Sequence, residues 1–314
     1  MTADMIIETF NLSKIYHLKG KDKNIKALED VNISIKKGEI FGILGPNGAG
    51  KTTFIQILTT LLHPTSGYAL IDGYHLIKDA MKVKSKVALM LESDMLYYRI
   101  TAHDNLKFFC KLYRVTNYEK KIDDMTKLLR IEDWLDQYVE HLSSGMKMKL
   151  ALARTLLLER DILFLDEPTL GLDVKTVNLF IDIIKNVEST IIFTSHDLSV
   201  VEKLCDRIAF INEGKIIKIG TQEEIKDLAE FGIKVEISLN TKIKDLFSEL
   251  SNQSYITEIN EERKNKIIIR LKERKNYKDL FNLLRNYEDK RSRNISRRFI
   301  YKNMLVATKN LYSN

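Results

Sequence analysis

The sequence predicts an α/β protein, a large layered domain followed by a small α+β one. Three observations carry that prediction. Short, continuously apolar runs ending in Gly, acid or His alternate with segments of helical periodicity, the pattern of strands layered with helices. A glycine-rich turn follows one of these runs and opens directly onto an apolar helical segment. Beyond residue 222 the order changes to β-α-β-β-α, the beginning of a ferredoxin-like unit.

Taken in order, "EIFGILG" (39–45) is a buried central strand, and "TTFIQILTTLL" is the helix that follows its glycine turn. Pro64, in "HPTSGYALIDG", stops that helix and leads through a turn to a short strand. Residues 101–140 are polar and helical, clearest in "AHDNLKFFCKLY" and "KIDDMTKLLRI", and belong to a helical insertion spanning about 93–155. The insertion ends in "LSSGMKMKLALARTLL". There Ser143 and Ser144 can cap a helix, Gly145 keeps its first turn open, and Met146, Leu150, Ala153 and Leu157 form an apolar stripe. "DILFLDE" (161–167) and "TIIFTSH" (190–196) are further central strands whose C-terminal ends open onto a site. The tail reads as strands at 234–239, 255–260 and 266–271, helices at 243–250 and 277–287, and a basic stretch after them. The expected boundaries are 1–222 and 231–314.

Composition narrows the class. The chain has 314 residues, 44% hydrophobic and 30% charged, which suits an ordinary globular protein with a sizeable core. No window of 18 uninterrupted apolar residues occurs, so no transmembrane helix is expected. The start, "MTADMIIETF", lacks the basic and apolar regions of a secretory signal. Cys110 and Cys205 are far apart and not in metal spacing, as expected of reduced thiols. Charge is uneven: residues 231–314 hold 19 Lys+Arg against 10 Asp+Glu, or +9, which leaves −2 on residues 1–230. The basic character thus belongs to the tail, whose surface can simply be solvated or can face nucleic acid, acidic protein or anionic lipid.

The chemistry lies in four motifs. "GPNGAGKTT" has the spacing of a phosphate-binding P-loop between a buried strand and a helix. Its residues Gly45, Pro46, Asn47, Gly48, Ala49, Gly50, Lys51, Thr52 and Thr53 are the expected nucleotide contacts. The glycines allow backbone twists that aim successive N–H groups at phosphate, and the helix N-terminus adds its positive end. Lys51 is expected to reach the β- and γ-phosphates and Thr52 to ligate Mg²⁺. "DILFLDEP" delivers Asp166 to the metal, while Glu167, pointing the other way, can polarise the attacking water. His196 in "TIIFTSHDL" stands just past a strand end, where it can hydrogen-bond a γ-phosphate.

In this order and spacing, "GPNGAGKTT", "LSSGM", "ILFLDEPTLGLD" and "TSHDL" resemble the ATP-binding cassette of ABC transporters, over about residues 6–222. The resemblance implies a P-loop NTPase cassette: a RecA-like core, an antiparallel β subdomain and the helical insertion, with the ferredoxin-like α+β domain appended. It implies that two cassettes sandwich two Mg-ATP head to tail, Ser143, Ser144 and Gly145 of one copy sealing the γ-phosphate held by the other. Tyr16 falls where an aromatic stacks on adenine, and Asp173 where the two sites are linked. Catalysis would rest on Glu167, His196 and Lys51. The metal would rest on Thr52, Asp166 and Glu92.

Two departures stand out. Ser144 occupies a position where glycine is commonest, and Glu92 one usually held by glutamine, which keeps a hard oxygen ligand but loses an amide donor and adds negative charge. "LMLESDMLYYRITAHDNLKFFCKLY" and the short tail resemble daunorubicin-type export ATPases. The expected partners are therefore a separate polytopic membrane permease and a second cassette subunit, an identical copy, with no specific nucleic acid. The expected location is the cytoplasm, peripheral on the inner face of the cell membrane. Tyr97, Tyr98, Phe108 and Phe109 line a groove for a permease helix or form the insertion's own core. An importer ATPase with a ligand-sensing tail is the nearest alternative. A cassette acting on nucleic acid or ribosomes is less favoured, for want of a long coiled-coil insertion or a second cassette.

Overall fold

Each apolar run becomes a strand whose register decides what faces the site. The computed structural model describes residues 4–17, 24–91, 96–225, 233–238, 244–263, 266–271 and 276–289. The chain divides into two compact units, Met1–Gln222 and Glu223–Asn314.

The first unit begins with β1 (Met5–His17), β2 (Asn24–Val31), β3 (Ser34–Lys36), β4 (Ile40–Leu44), α1 (Lys51–Leu58), β5 (Ser66–Ile71), β6 (Tyr74–His75), α2 (Ala80–Lys86) and β7 (Val87–Met90). It continues with α3 (Ala102–Leu112), α4 (Tyr118–Leu129), α5 (Ser144–Leu156), β8 (Ile162–Asp166), α6 (Val174–Lys185), β9 (Thr190–Ser195), α7 (Leu198–Leu204), β10 (Arg207–Asn212) and β11 (Lys215–Gly220). An antiparallel sheet ordered β2-β1-β5-β6, with β3 also on β1, stands beside a six-stranded sheet ordered β11-β10-β4-β9-β8-β7. The second sheet is parallel from β10 to β7. Its central strands β8 and β9 are buried at every residue, which is why they read as unbroken apolar runs. A single core joins both sheets through Phe41, Ile43, Phe54, Phe164 and Ile192. Helices α3, α4 and α5 pack on one another, and α5 also reaches β7.

Two elements differ from the sequence reading. Helix α1 stops at Leu58, four residues short of the apolar pattern's end. Thr59 turns its hydroxyl back to the Ile55 carbonyl at 2.8 Å, and Thr60 takes a left-handed φ of 62°, so tandem threonines end the helix before Pro64. Helix α5 is not buried along a single stripe: every residue from Leu150 to Thr155 is buried. Neighbours on several sides erase the exposed face that the periodicity suggested. Arg154 is part of this, its guanidinium donating to the Leu89 carbonyl at 3.2 Å and lying 4.9 Å from the Phe109 ring.

In the second unit β12 (Ile233–Ser238), α8 (Lys244–Ser251), β13 (Ile256–Arg263), β14 (Lys266–Leu271) and α9 (Tyr277–Asp289) follow the β-α-β-β-α order. The antiparallel sheet runs β12-β14-β13. Alternate residues Ile267, Ile269 and Leu271 form its buried core with Leu246, Leu250, Leu280 and Leu284 from the helices. The basic stretch from residue 290 lies outside the described residues. Cys110 and Cys205 are both free and buried; burial pushes the Cys110 thiol up to about 11 and Cys205 higher still.

Candidate functional site

Strand order puts the chemistry together. Because β9 lies between β4 and β8, three loops leave adjacent strand ends: the glycine loop after β4, Glu167 after β8 and His196 after β9. Gly45 N–H donates to the Ser195 carbonyl at 3.2 Å, which ties the glycine loop to the β9 end.

The loop is shaped by its glycines. Gly50, at φ 107°, sits so close to the antiparallel sheet that a Cβ there would lie 2.3 Å from the Ala27 carbonyl oxygen. Gly48, at φ 81°, is the opposite case, with nothing within 4 Å of where a Cβ would be. The loop is thus fixed on its protein side and open on the other, the form of a phosphate cradle. Ala49 is buried and its carbonyl accepts from Gly214 N–H in the β10–β11 turn at 3.0 Å, while Asn47 is exposed and Pro46 and Thr53 are half-buried.

Lys51 is 5% exposed and its ammonium has three neighbours. It donates to the carbonyls of Gly45 and Pro46 at 2.7 and 3.1 Å. It also lies 3.0 Å from Glu167 Oε1. That contact is ionic but poorly angled, so Glu167 Oε1 remains buried without a hydrogen-bond donor. The other oxygen, Oε2, is 2.8 Å from His196 Nδ1, which must carry its proton on that nitrogen to meet a carboxylate. Glu167 itself adopts a left-handed φ of 48°, the kind of local strain that a surrounding structure holds in place at sites of chemistry.

Asp166 is 1% exposed. Burial raises its carboxyl above the ordinary range, opposed by the hydroxyls of Thr194 and Thr52 beside it. Oδ1 accepts from Thr194 at 2.7 Å, whereas Oδ2 is buried with no hydrogen-bond partner. A buried, desolvated carboxylate oxygen with an exposed threonine hydroxyl next to it is a hard-oxygen set suited to a small divalent cation.

Lys51, Thr52, Asp166, Glu167 and His196 are therefore brought together. Ser143, Ser144, Gly145, Asp173 and Tyr16 are not bonded to that cluster. Ser143 caps α5 by accepting from Met146 N–H at 3.3 Å; it and Ser144 are exposed, and nothing lies within 4 Å of a Cβ on Gly145. Asp173 caps α6, accepting from Lys175 N–H, Thr176 N–H and the Thr176 hydroxyl at 3.0, 3.1 and 2.6 Å. Tyr16 is half-buried on β1 with the Lys14 ammonium 5.4 Å from its ring centre. Glu92 lies outside the described residues. One residue escaped the sequence reading altogether: Thr194, fully buried, whose hydroxyl also accepts from Glu167 N–H at 2.9 Å. A threonine inside an apolar strand reads as β-propensity alone.

The fold and this cluster define a P-loop nucleotide hydrolase. The ABC transporter family matches residues 28–170. NatA, an ABC transporter ATP-binding protein of Bacillus subtilis, is 39% identical over 211 residues, covering 65% of this chain and 86% of its own. The B. subtilis linearmycin resistance ATP-binding protein LnrL is 35% identical, over 70% of each chain. The methionine import ATP-binding protein MetN 2 of Bacillus cereus is 34% identical, over 67% of this chain and 64% of its own. Among solved structures, the dimeric ATP-binding cassette MJ0796 bound to ADP and Pi is similar with a TM-score of 0.62 at 26% identity, over 69% of this chain and 98% of that one. The chain belongs to the ABC transporter ATP-binding family, and its cassette binds and hydrolyses ATP.

Proposed function

We propose that this chain is the ATP-binding subunit of an exporter, acting on the inner face of the membrane with a separate polytopic permease. No helix among the described residues is long and apolar enough to cross a membrane, so in this reading the transport pathway belongs to another polypeptide. One observation carries the proposal. The hydrolytic cluster is bonded within the chain, with Lys51, Asp166 and Glu167 buried, while Ser143 and Ser144 are exposed and nothing lies within 4 Å of where a Cβ on Gly145 would be. Such a turn is available to a γ-phosphate held by a second copy, and the dimer formed by MJ0796 supports that pairing.

Each residue then has a task. The glycine loop and Lys51 hold the phosphates of ATP. Glu167, kept in place by Lys51 and His196, takes a proton from the attacking water; His196 holds the carboxylate's orientation through Nδ1. Thr52 and Asp166, with Glu92, would hold Mg²⁺. When bound, that ion neutralises charge developing on the phosphate oxygens. Tyr16 stacks on the adenine and Asp173 links the paired sites. Loss of the γ-phosphate removes what bridges the two copies, and the dimer opens to reset the permease.

Export is favoured by the 35% identity to a resistance protein and by the aromatic segment after Glu92. Tyr97, Tyr98 and Phe108 are exposed, and Tyr97 packs on Phe108 and Phe109 at 4.9 and 5.8 Å. They suit a permease helix. The similarity to a methionine importer supports the second reading, in which the tail senses a ligand. Copurification of the full chain with a polytopic membrane protein tests the partnership, and recovery of the chain from membranes without one would overturn it. A thermal-shift screen of the full chain against amino acids and related metabolites separates the two directions, because a stabilising metabolite favours import.

A further inference from the structure

The buried hydroxyl of Thr194 touches both acids of the site, and its hydrogen-bond directions are fixed. A hydroxyl has one proton to donate. The backbone N–H of Glu167, 2.9 Å away, can only donate, so Thr194 Oγ1 accepts there. Its single proton is then committed to Asp166 Oδ1 at 2.7 Å. Register reinforces the arrangement, since Thr194 and Asp166 are paired residues of adjacent parallel strands. Thr194 is 0% exposed, so water cannot take over either bond.

We infer that Thr194 is a positioning residue for ATP hydrolysis: one hydroxyl sets the carboxylate plane of Asp166 and pins the strained backbone of Glu167. By occupying Oδ1, it leaves Oδ2 as the oxygen without a partner and therefore as the one presented to a cation. By accepting from Glu167 N–H, it fixes the turn at φ 48° from which that side chain reaches Lys51 and His196. One bond thus serves the metal side of the reaction and the other the water side. A valine at this position keeps the shape and the strand propensity but breaks both bonds. A serine keeps both.

The inference rests on the assignment of Asp166 and Glu167 to metal and water, and the experiment separates the two. The full chain is prepared as wild type, Thr194→Val, Thr194→Ser, Thr194→Ala and Glu167→Gln. Steady-state hydrolysis is measured over a range of Mg²⁺, and binding of Mn²⁺ with a non-hydrolysable ATP analogue is followed by electron paramagnetic resonance. Nucleotide affinity is measured in EDTA. Outer partners of metal ligands commonly contribute roughly 10–100-fold to affinity or activity. Thr194→Val is expected to lower kcat and to weaken Mn²⁺ binding by about that factor, with metal-free nucleotide affinity unchanged. Thr194→Ser is expected to stay within about threefold of wild type, the rescue that a packing role for the methyl group would not give. Should valine destabilise the fold, Thr194→Ala against Thr194→Ser makes the same comparison. Wild-type kcat and Mn²⁺ binding in Thr194→Val, or serine failing as badly as valine, would overturn the inference. If Glu167→Gln hydrolyses ATP normally, the assignment beneath it is what fails.

Discussion

The two ends of the proposed ATP site are built in opposite ways. At the end formed by β4, β8 and β9, the charged groups Lys51, Asp166 and Glu167 are buried and engaged with their neighbours: Lys51 with two carbonyls and Glu167, Glu167 with the half-buried His196, Asp166 with Thr194. At the start of α5, Ser143 and Ser144 are exposed and Gly145 faces open space. The contrast teaches where each half gets its order. Burial and strand register assemble the first within one chain. The second offers helix N–H groups and a small residue to something that arrives from outside.

Substitutions can sharpen or break this contrast. The largest effect is expected from Glu167→Gln, which should retain ATP binding while turnover falls by roughly 10²–10⁴-fold, the usual contribution of a general base. Unchanged steady-state turnover would take Glu167 out of that role. Gly145→Asp places a negative charge where a neighbouring copy's phosphate would come, and it should lower turnover by about 10²-fold. Because nothing lies within 4 Å of where a Cβ on Gly145 would be, the variant's melting temperature and the monomer's nucleotide affinity should match wild type. If size-exclusion chromatography with ATP still shows the wild-type dimer, the exposed turn is not an interface. Lys51→Ala should weaken ATP binding by about 10–100-fold, from the ~1.5–3 kcal/mol of a charged hydrogen bond. Wild-type affinity in titration calorimetry would contradict the phosphate assignment.

The smallest effect concerns Asp166. Its carboxyl is raised by burial. A raised group stabilises the folded state fully only below its unfolded value, near 3.8, and that contribution is lost as pH climbs through the raised value. Without nucleotide or metal, Asp166→Asn should therefore be the more stable protein at neutral pH, by about 1 kcal/mol or ~2–4 °C in Tm. Below about pH 4 the gap should close. Thermal melts over this pH range in EDTA decide it, and a less stable Asn variant at pH 7 would mean that the ionised carboxylate is a net stabiliser.

The α/β class, the central strands and the glycine loop were legible because each leaves a local mark: an unbroken apolar run, or glycines at fixed spacing before a helix. What escaped notice depends on neighbours distant in sequence. Thr194 acquires its bonds only when β9 pairs with β8. The Lys51–Glu167 pair joins residues more than a hundred positions apart. The burial of α5 on several sides comes from three neighbouring elements that its own periodicity cannot report. The early end of α1 was visible in principle, since "LTTLL" holds adjacent β-branched hydroxyl residues, but the apolar spacing masked it.

The shared burial of Lys51 and Glu167 has a practical consequence. At 6% and 7% side-chain exposure, neither charge has solvent to fall back on, so deleting the ammonium maroons the carboxylate. Breaking a buried pair in this way costs about 3–5 kcal/mol, enough to blur a binding defect with a folding one. Pairing Lys51→Met with Glu167→Gln cancels both charges together, and only that double replacement yields a titration free of the confusion.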